Sequence, residues 1–167
     1  MTALGVGEMK VFDEAGEEHT MAELCDNRKA IVVFDLAKVP QDHLGNVAVV
    51  VIGCAPHRFI APFKKETNFP FELYSDPDRN VYKSLGLKHA HASASKSEHM
   101  RSSVVMGLLQ STWRGLKSMR MQGDVKQQGG AFVVDQKKLI FSHQDKSPDD
   151  HCPINTLLTK AGLETFF

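Results

Sequence analysis

Sulfur offers the clearest route to chemistry in this 167-residue sequence, through its three cysteines at 25, 54 and 152. Nucleophilic or redox work needs the thiolate, and a thiolate needs positive potential from a helix N-terminus or a nearby cation. Cys54 has the best environment of the three. It follows the apolar run Val47-Ala48-Val49-Val50-Val51-Ile52 and precedes Pro56, His57 and Arg58, where a helix is expected to start. The competing account is plain packing of a small, polarizable side chain at a strand end. Cys152 lies beside Asp149, Asp150 and His151, and those carboxylates oppose ionisation even though Pro153 opens a helix. Cys25 falls near the end of a helix beginning after Thr20, where the backbone carries partial negative charge, with Arg28 and Lys29 downstream. An odd count without Cys-x-x-Cys excludes a disulfide scaffold and a structural zinc site of the usual spacing, and suits a reducing, cytoplasmic setting. No two cysteines are close in sequence, so any resolving pair depends on tertiary contact.

Other constellations have simpler readings. Asp76 suits helix capping and Asp78 the first turn that follows, so with Glu72 they need not be paired acid-base carboxylates. His89, His91 and His99 lie in the polar stretch KHAHASASKSEH, with no acidic or cysteine partner spaced to complete a metal shell. Gly129-Gly130 stands before a strand but belongs to no phosphate-binding pattern, and close backbone packing is the better reading. Trp113, Met106 and Leu109 share helical spacing and fit a core or interface. No cofactor or metal is implied.

The elements that would position these residues are marked by apolar runs. Ala30-Ile31-Val32-Val33-Phe34, residues 47–52 and Ala131-Phe132-Val133-Val134 are continuously apolar, as strands covered on both faces require. Phe71-Glu72-Leu73-Tyr74 predicts a shorter strand, and Leu139-Ile140-Phe141 a hairpin partner for 131–134, so the sheet should be mixed. Asp76, Pro77 and Gly86 predict a capped helix over 77–85, and Thr20 with Glu23 a capping box. Pro153 and Gly162 bracket a final helix, and residues 100–117 have the period of a longer amphipathic one. If 30–34 and 47–52 are successive parallel strands, only twelve residues, Asp35 to Asn46, connect them. That is the minimum for a crossover, and Pro40 confines any helix there to about 35–39. Either the strands are not neighbours or the chain is unusually compact at this point.

Composition sets the outer bounds. At 167 residues, 42% hydrophobic and 24% charged, one globular domain over 1–167 is expected. Lys plus Arg and Asp plus Glu each total 20, so no electrostatic footprint for nucleic acid or anionic lipid exists. Met1 to Lys10 lacks the pattern of a secretory signal, and no apolar run approaches the ~20 residues of a membrane span.

The order of blocks VVF, DLAKVPQDHL, VAVVVIG, PHRFIAPFKKETNFPFELYSDPDRNVYKSLGLK, LLQSTWRGL, QGD, QQGG and PINTLL, from Val11 to Leu158, resembles the peroxiredoxin-like 2 subgroup of the AhpC/TSA-related proteins. The resemblance implies a thioredoxin-like α/β fold, a central mixed sheet flanked by helices with its first crossover shortened, and thiol-dependent antioxidant activity served by a thiol reductant. It also implies a departure. The family's Cys-x-x-Cys segment lies between VVF and DLAKVP, and here Phe34 runs directly into Asp35. Two functions follow: an antioxidant-type protein with impaired redox chemistry, Cys54 being its candidate thiol, or a non-catalytic regulatory module acting through a protein partner.

Overall fold

A computed structural model describes residues 5–34, 44–89, 127–146 and 150–165. Among these, seven strands form one sheet in the order β2-β1-β5-β4-β3-β6-β7. In chain order they are β1 (Lys10–Phe12), β2 (Glu18–Thr20), β3 (Lys29–Val33), β4 (Ala48–Gly53), β5 (Glu72–Ser75), β6 (Gly130–Asp135) and β7 (Lys138–Gln144). The helices are α1 (Met21–Leu24), α2 (Ile60–Thr67), α3 (Asn80–Ser84) and α4 (Ile154–Ala161), with a 3₁₀ turn over His57–Phe59 leading into α2.

The centre of the sheet is parallel. β3 pairs with β4, Ala30 opposite Ala48 through Val33 opposite Val51, and β4 pairs in parallel with β5. The two strands on either side of the short crossover are therefore direct neighbours, which leaves compactness as the answer to the linker arithmetic; residues 35–43 lie outside the described residues. β6 runs antiparallel to β3 and makes a hairpin with β7, and β1 joins β5 antiparallel, so the sheet is mixed as expected.

Successive strand residues point to opposite faces, and the apolar runs divide accordingly. Ala30, Val32 and Phe34 pack with Val50, Ile52, Phe132 and Val134 on one face, under Met21, Leu24, Val81 and Tyr82. Ile31 and Val33 pack with Val49, Val51, Ala131 and Val133 on the other, under Leu157, Leu158 and Ala161 of α4. Continuous apolarity is needed because both faces are covered. The Phe34 ring meets Tyr82 and Phe132 edge-on at 4.9 and 5.6 Å, so the residue ending β3 is locked into the first core.

Helix ends show where local signals were accurate and where they were not. Thr20 and Glu23 form the capping box, each side chain bonding the other's backbone N–H, at 3.2 and 2.7 Å, but α1 is a single turn. Pro153 and Gly162 bracket α4 as expected, and Lys29 Nζ donates to the Ala161 carbonyl at its C-terminus. The helix expected over 77–85 is shorter: Pro77 and Asp78 form a turn, Arg79 takes a left-handed φ of 58°, and α3 begins at Asn80. Asp76 caps it nevertheless, from four residues upstream. Gly86, at φ 69°, closes the far end, where Leu87 N–H bonds the Tyr82 carbonyl. The expected helix over 100–117 and the stretch from 90 to 99 lie outside the described residues.

Gly130 shows why the QQGG block needs a glycine at its last position. A Cβ there would stand 2.8 Å from the His143 carbonyl oxygen and 2.9 Å from Leu87 Cδ2. The strand backbone cannot yield without disturbing the β6–β7 pairing. Gly130→Ala is therefore expected to destabilise the fold by about 1–3 kcal/mol, seen as a lower denaturant midpoint with an unchanged m value.

Candidate functional site

The carboxyl ends of β3 and β4 lie side by side, and the chain leaves β4 through Gly53, Cys54 and Ala55. Three bonds from outside the strand fix this exit. The Asp76 N–H donates to the Gly53 carbonyl at 2.8 Å, Ser75 Oγ–H to the Ala55 carbonyl at 2.5 Å, and Tyr82 O–H to the Ile52 carbonyl at 2.8 Å. Cys54 is half-buried and packs against the first core.

Asp76, 2% exposed, organises the other side of this exit. Its carboxylate accepts from the backbone N–H groups of Asn80, Val81 and Tyr82 at 2.9, 2.8 and 3.2 Å. Burial pushes its carboxyl above the usual carboxylate range, against the downward pull of those three donors. The role is structural, as capping predicts.

The helix expected after Cys54 starts with a 3₁₀ turn whose N-cap is Pro56, which supplies no side-chain bond. Arg58 lies over the Phe59 ring at 5.0 Å, and the His57 ring sits 6.1 Å from that of Phe12. A Cβ on Gly16, which has φ 84°, would stand 2.9 Å from His57 Nε2, so the β1–β2 turn rests on the segment that follows the candidate thiol.

The other two thiols are held protonated by their surroundings. Cys25 is the C-cap of α1 and 3% exposed; burial pushes its thiol up, and the nearby Arg28 only partly opposes this. That guanidinium is bound to Glu72 through two bonds, at 2.5 and 2.9 Å, and Nε–H donates to the Leu24 carbonyl. Cys152 is pushed up by burial and then by the Asp145 and Asp150 carboxylates, the effect foreseen from its acidic neighbours. None of the three cysteines is in a disulfide. Cys25 and Cys54 belong to the first core and Cys152 to the second, so the sheet lies between the last and the other two.

Two clusters had no advance signal in the sequence because their members meet only through strand pairing. Arg28, Glu72 and Tyr74 form one: Tyr74 O–H donates to Glu72 Oε2 at 3.2 Å, and Arg28 holds the Glu72 carboxyl below its usual range. Asp13, Glu17 and His19 form the other, in the β1–β2 hairpin. Of the three histidines between 88 and 99, His89 forms a bridge with Gln127; His91 and His99 lie outside the described residues.

The arrangement is a mixed, helix-covered sheet with a thiol at its carboxyl edge, and comparison with known proteins gives it a class. The family model described as AhpC/TSA antioxidant enzyme matches residues 35–147, starting immediately after Phe34. The chain belongs to that family and has a thioredoxin-like fold. Within it the chain falls among the peroxiredoxin-like 2 proteins. It is 37% identical over 183 residues to Peroxiredoxin-like 2C of Bos taurus, covering 97% of this chain and 80% of the relative. Against Peroxiredoxin-like 2C of Homo sapiens the identity is also 37%, covering 97% and 81%. Because 183 exceeds the chain's 167 residues, at least 16 aligned positions of the bovine relative have no counterpart here.

Among solved structures, peroxidoxin BcpB of Mycobacterium tuberculosis matches with a TM-score of 0.61 at 15% identity, covering 96% of each chain. Reduced Prx3 of Vibrio vulnificus in complex with H2O2 matches with a TM-score of 0.61 at 14% identity, covering 96% of this chain and 95% of that one. The protein is thus an antioxidant-type member of the thioredoxin fold, related to peroxiredoxins. Among the described residues, no helix is long and apolar enough to cross a membrane.

Three outcomes follow from these electrostatics. Cys25 is expected to resist alkylation in the folded chain and to react once denaturant is added, and Asp150→Asn should speed alkylation of Cys152 near neutral pH by lowering its thiol pKa; peptide mass mapping resolves the three sites. Burial and then the Glu72 carboxylate push the Tyr74 phenol up to about 12. The unfolded chain ionises this tyrosine near 10 and the folded chain does not, so stability should fall as pH rises from about 10 to about 12. Tyr74→Phe is expected to reduce that slope, and phenolate absorbance reports the titration.

Proposed function

We propose that this chain is a thioredoxin-fold antioxidant-type protein with impaired thiol chemistry, and that Cys54 is its remaining candidate thiol. The observation that carries this reading is the absence of any cysteine between Cys25 and Cys54. The end of β3 and the crossover that begins there, where the family resemblance puts the Cys-x-x-Cys segment, have no sulfur. Cys54, at the end of the adjacent strand, is the thiol left at that edge.

Any turnover would run through the Cys54 thiolate. It attacks one oxygen of a hydroperoxide, the O–O bond breaks, and the leaving oxygen takes a proton to depart as water or an alcohol. The sulfenic acid then condenses with an external thiol, losing water, and a second thiol reduces the mixed disulfide. With raised pKa values at Cys25 and Cys152, an external thiol reductant is the natural partner. Three cysteines outside any disulfide support a reducing, cytoplasmic setting for a single domain over 1–167. The thiol-free end of β3 also favours a second reading, a non-catalytic regulatory or interaction module in redox-linked signalling or metabolism, which needs no thiolate.

Peroxide consumption by the purified chain with a thiol reductant separates these readings. The expected result is a rate comparable to that of an unstructured cysteine peptide and abolished by Cys54→Ser. A rate orders of magnitude higher would overturn the impairment. A rate unchanged by C54S would remove the assignment of Cys54, and a folded but inert chain would establish the non-catalytic reading.

A further inference from the structure

Ser75 and Asp76 are adjacent buried polar residues at the end of β5, and Ser75 is 1% exposed. Burying a hydroxyl costs free energy unless it is hydrogen-bonded, and an apolar side chain would serve packing alone. Asp76 is accounted for as the cap of α3. Ser75 takes no part in that cap.

Its bond runs to the segment that carries the candidate thiol. In the sheet Ser75 stands opposite Gly53 of β4 on one side and Phe12 of β1 on the other. Its hydroxyl reaches past Gly53 and donates to the Ala55 carbonyl at 2.5 Å. The Gly53 carbonyl is held by the Asp76 N–H at 2.8 Å. Residues 75 and 76 therefore hold one carbonyl before Cys54 and one after it. Pro56 follows Ala55 and has no N–H, so the peptide unit between them has an acceptor but no donor. An uncommitted carbonyl oxygen beside a thiol disfavours the thiolate, and a proton donated to that oxygen offsets its negative charge.

We propose that Ser75 is a positioning residue for Cys54: by engaging the Ala55 carbonyl, its hydroxyl fixes the turn that carries the thiol and offsets the negative charge next to the sulfur, which favours the thiolate. This rests on the reading of Cys54 as the candidate thiol and names what tunes it. The charged and titratable residues on the segments that meet here are His57 and Arg58 after the thiol, Asp13 after β1, and Asp76, Arg79 and Tyr82 on the β5–α3 side. Ser75→Ala alters none of them, so a change in Cys54 ionisation in that variant reports the hydroxyl.

Alkylation of Cys54 in the folded full chain, followed against pH by peptide mass mapping, tests the assignment. No peroxide enters this assay, so its outcome is separate from whether the chain turns peroxide over. Ser75→Ala is expected to move the pH midpoint of Cys54 alkylation upward and to slow the reaction near neutral pH about threefold or more. Cys152, in the second core, should keep its rate, and Cys25 should stay protected until denaturant is added. Ser75→Thr, which keeps the hydroxyl, should retain the original Cys54 profile. A profile unchanged by Ser75→Ala, or altered as much by Ser75→Thr, would overturn the assignment. A parallel change at Cys25 and Cys152 would also overturn it, since that marks a general loosening of the fold.

Discussion

The buried carboxylate of Asp76 is the constraint on which the site's geometry depends. Removing a charge from water costs several kcal/mol unless hydrogen bonds replace the lost hydration, and here three consecutive backbone N–H groups at the start of α3 do so. The same residue's N–H holds the Gly53 carbonyl at the end of β4. One residue therefore sets where β5 stops, where α3 begins and where β4 releases the chain towards Cys54. Tyr82 closes the loop: its N–H binds Asp76 and its hydroxyl binds the Ile52 carbonyl.

This unit also explains how the sheet tolerates so short a first crossover. The exit of β4 is secured from the β5 and α3 side, and the register of β3 is fixed on its far flank by five residues paired with β6. Phe34 is clamped by two rings. The parallel pairing of β3 with β4 is thus held by neighbours on both sides, and does not depend on a long covering helix between them.

Much of this architecture was legible in the sequence because its signals are local. Strands buried on both faces leave unbroken apolar runs, so the sequence marks β3, β4 and β6 to within a few residues, while the largely exposed β7 is marked by Leu139-Ile140-Phe141 after a polar turn; Thr20, Gly86, Pro153 and Gly162 mark helix ends by their own conformational preferences. The boundaries of α3 were not legible, since Asp76 caps through a turn in which Arg79 adopts a left-handed conformation. The β1–β2 hairpin was missed altogether: three-residue strands such as Glu18-His19-Thr20 carry no apolar run, and their stability comes from pairing. Ion pairs such as Arg28 with Glu72 join residues 44 positions apart and exist only once the sheet has formed. For the candidate site, the poor prospects of Cys25 and Cys152 could be read from neighbouring charge and helix polarity. The bonds that fix the exit around Cys54 could not.

The hairpin that sequence reasoning missed is also what connects the acidic trio to the thiol-bearing edge. The Asp13 backbone carbonyl accepts the Gly16 N–H at 3.1 Å, and Gly16 lies against His57, three residues beyond Cys54. A side chain at Gly16 would collide with the imidazole, and its φ of 84° is one that other residues rarely adopt. The turn is therefore fitted to His57 by sterics and to Asp13 by hydrogen bonding. The His57 ring is bounded by Phe12 as well as by Gly16.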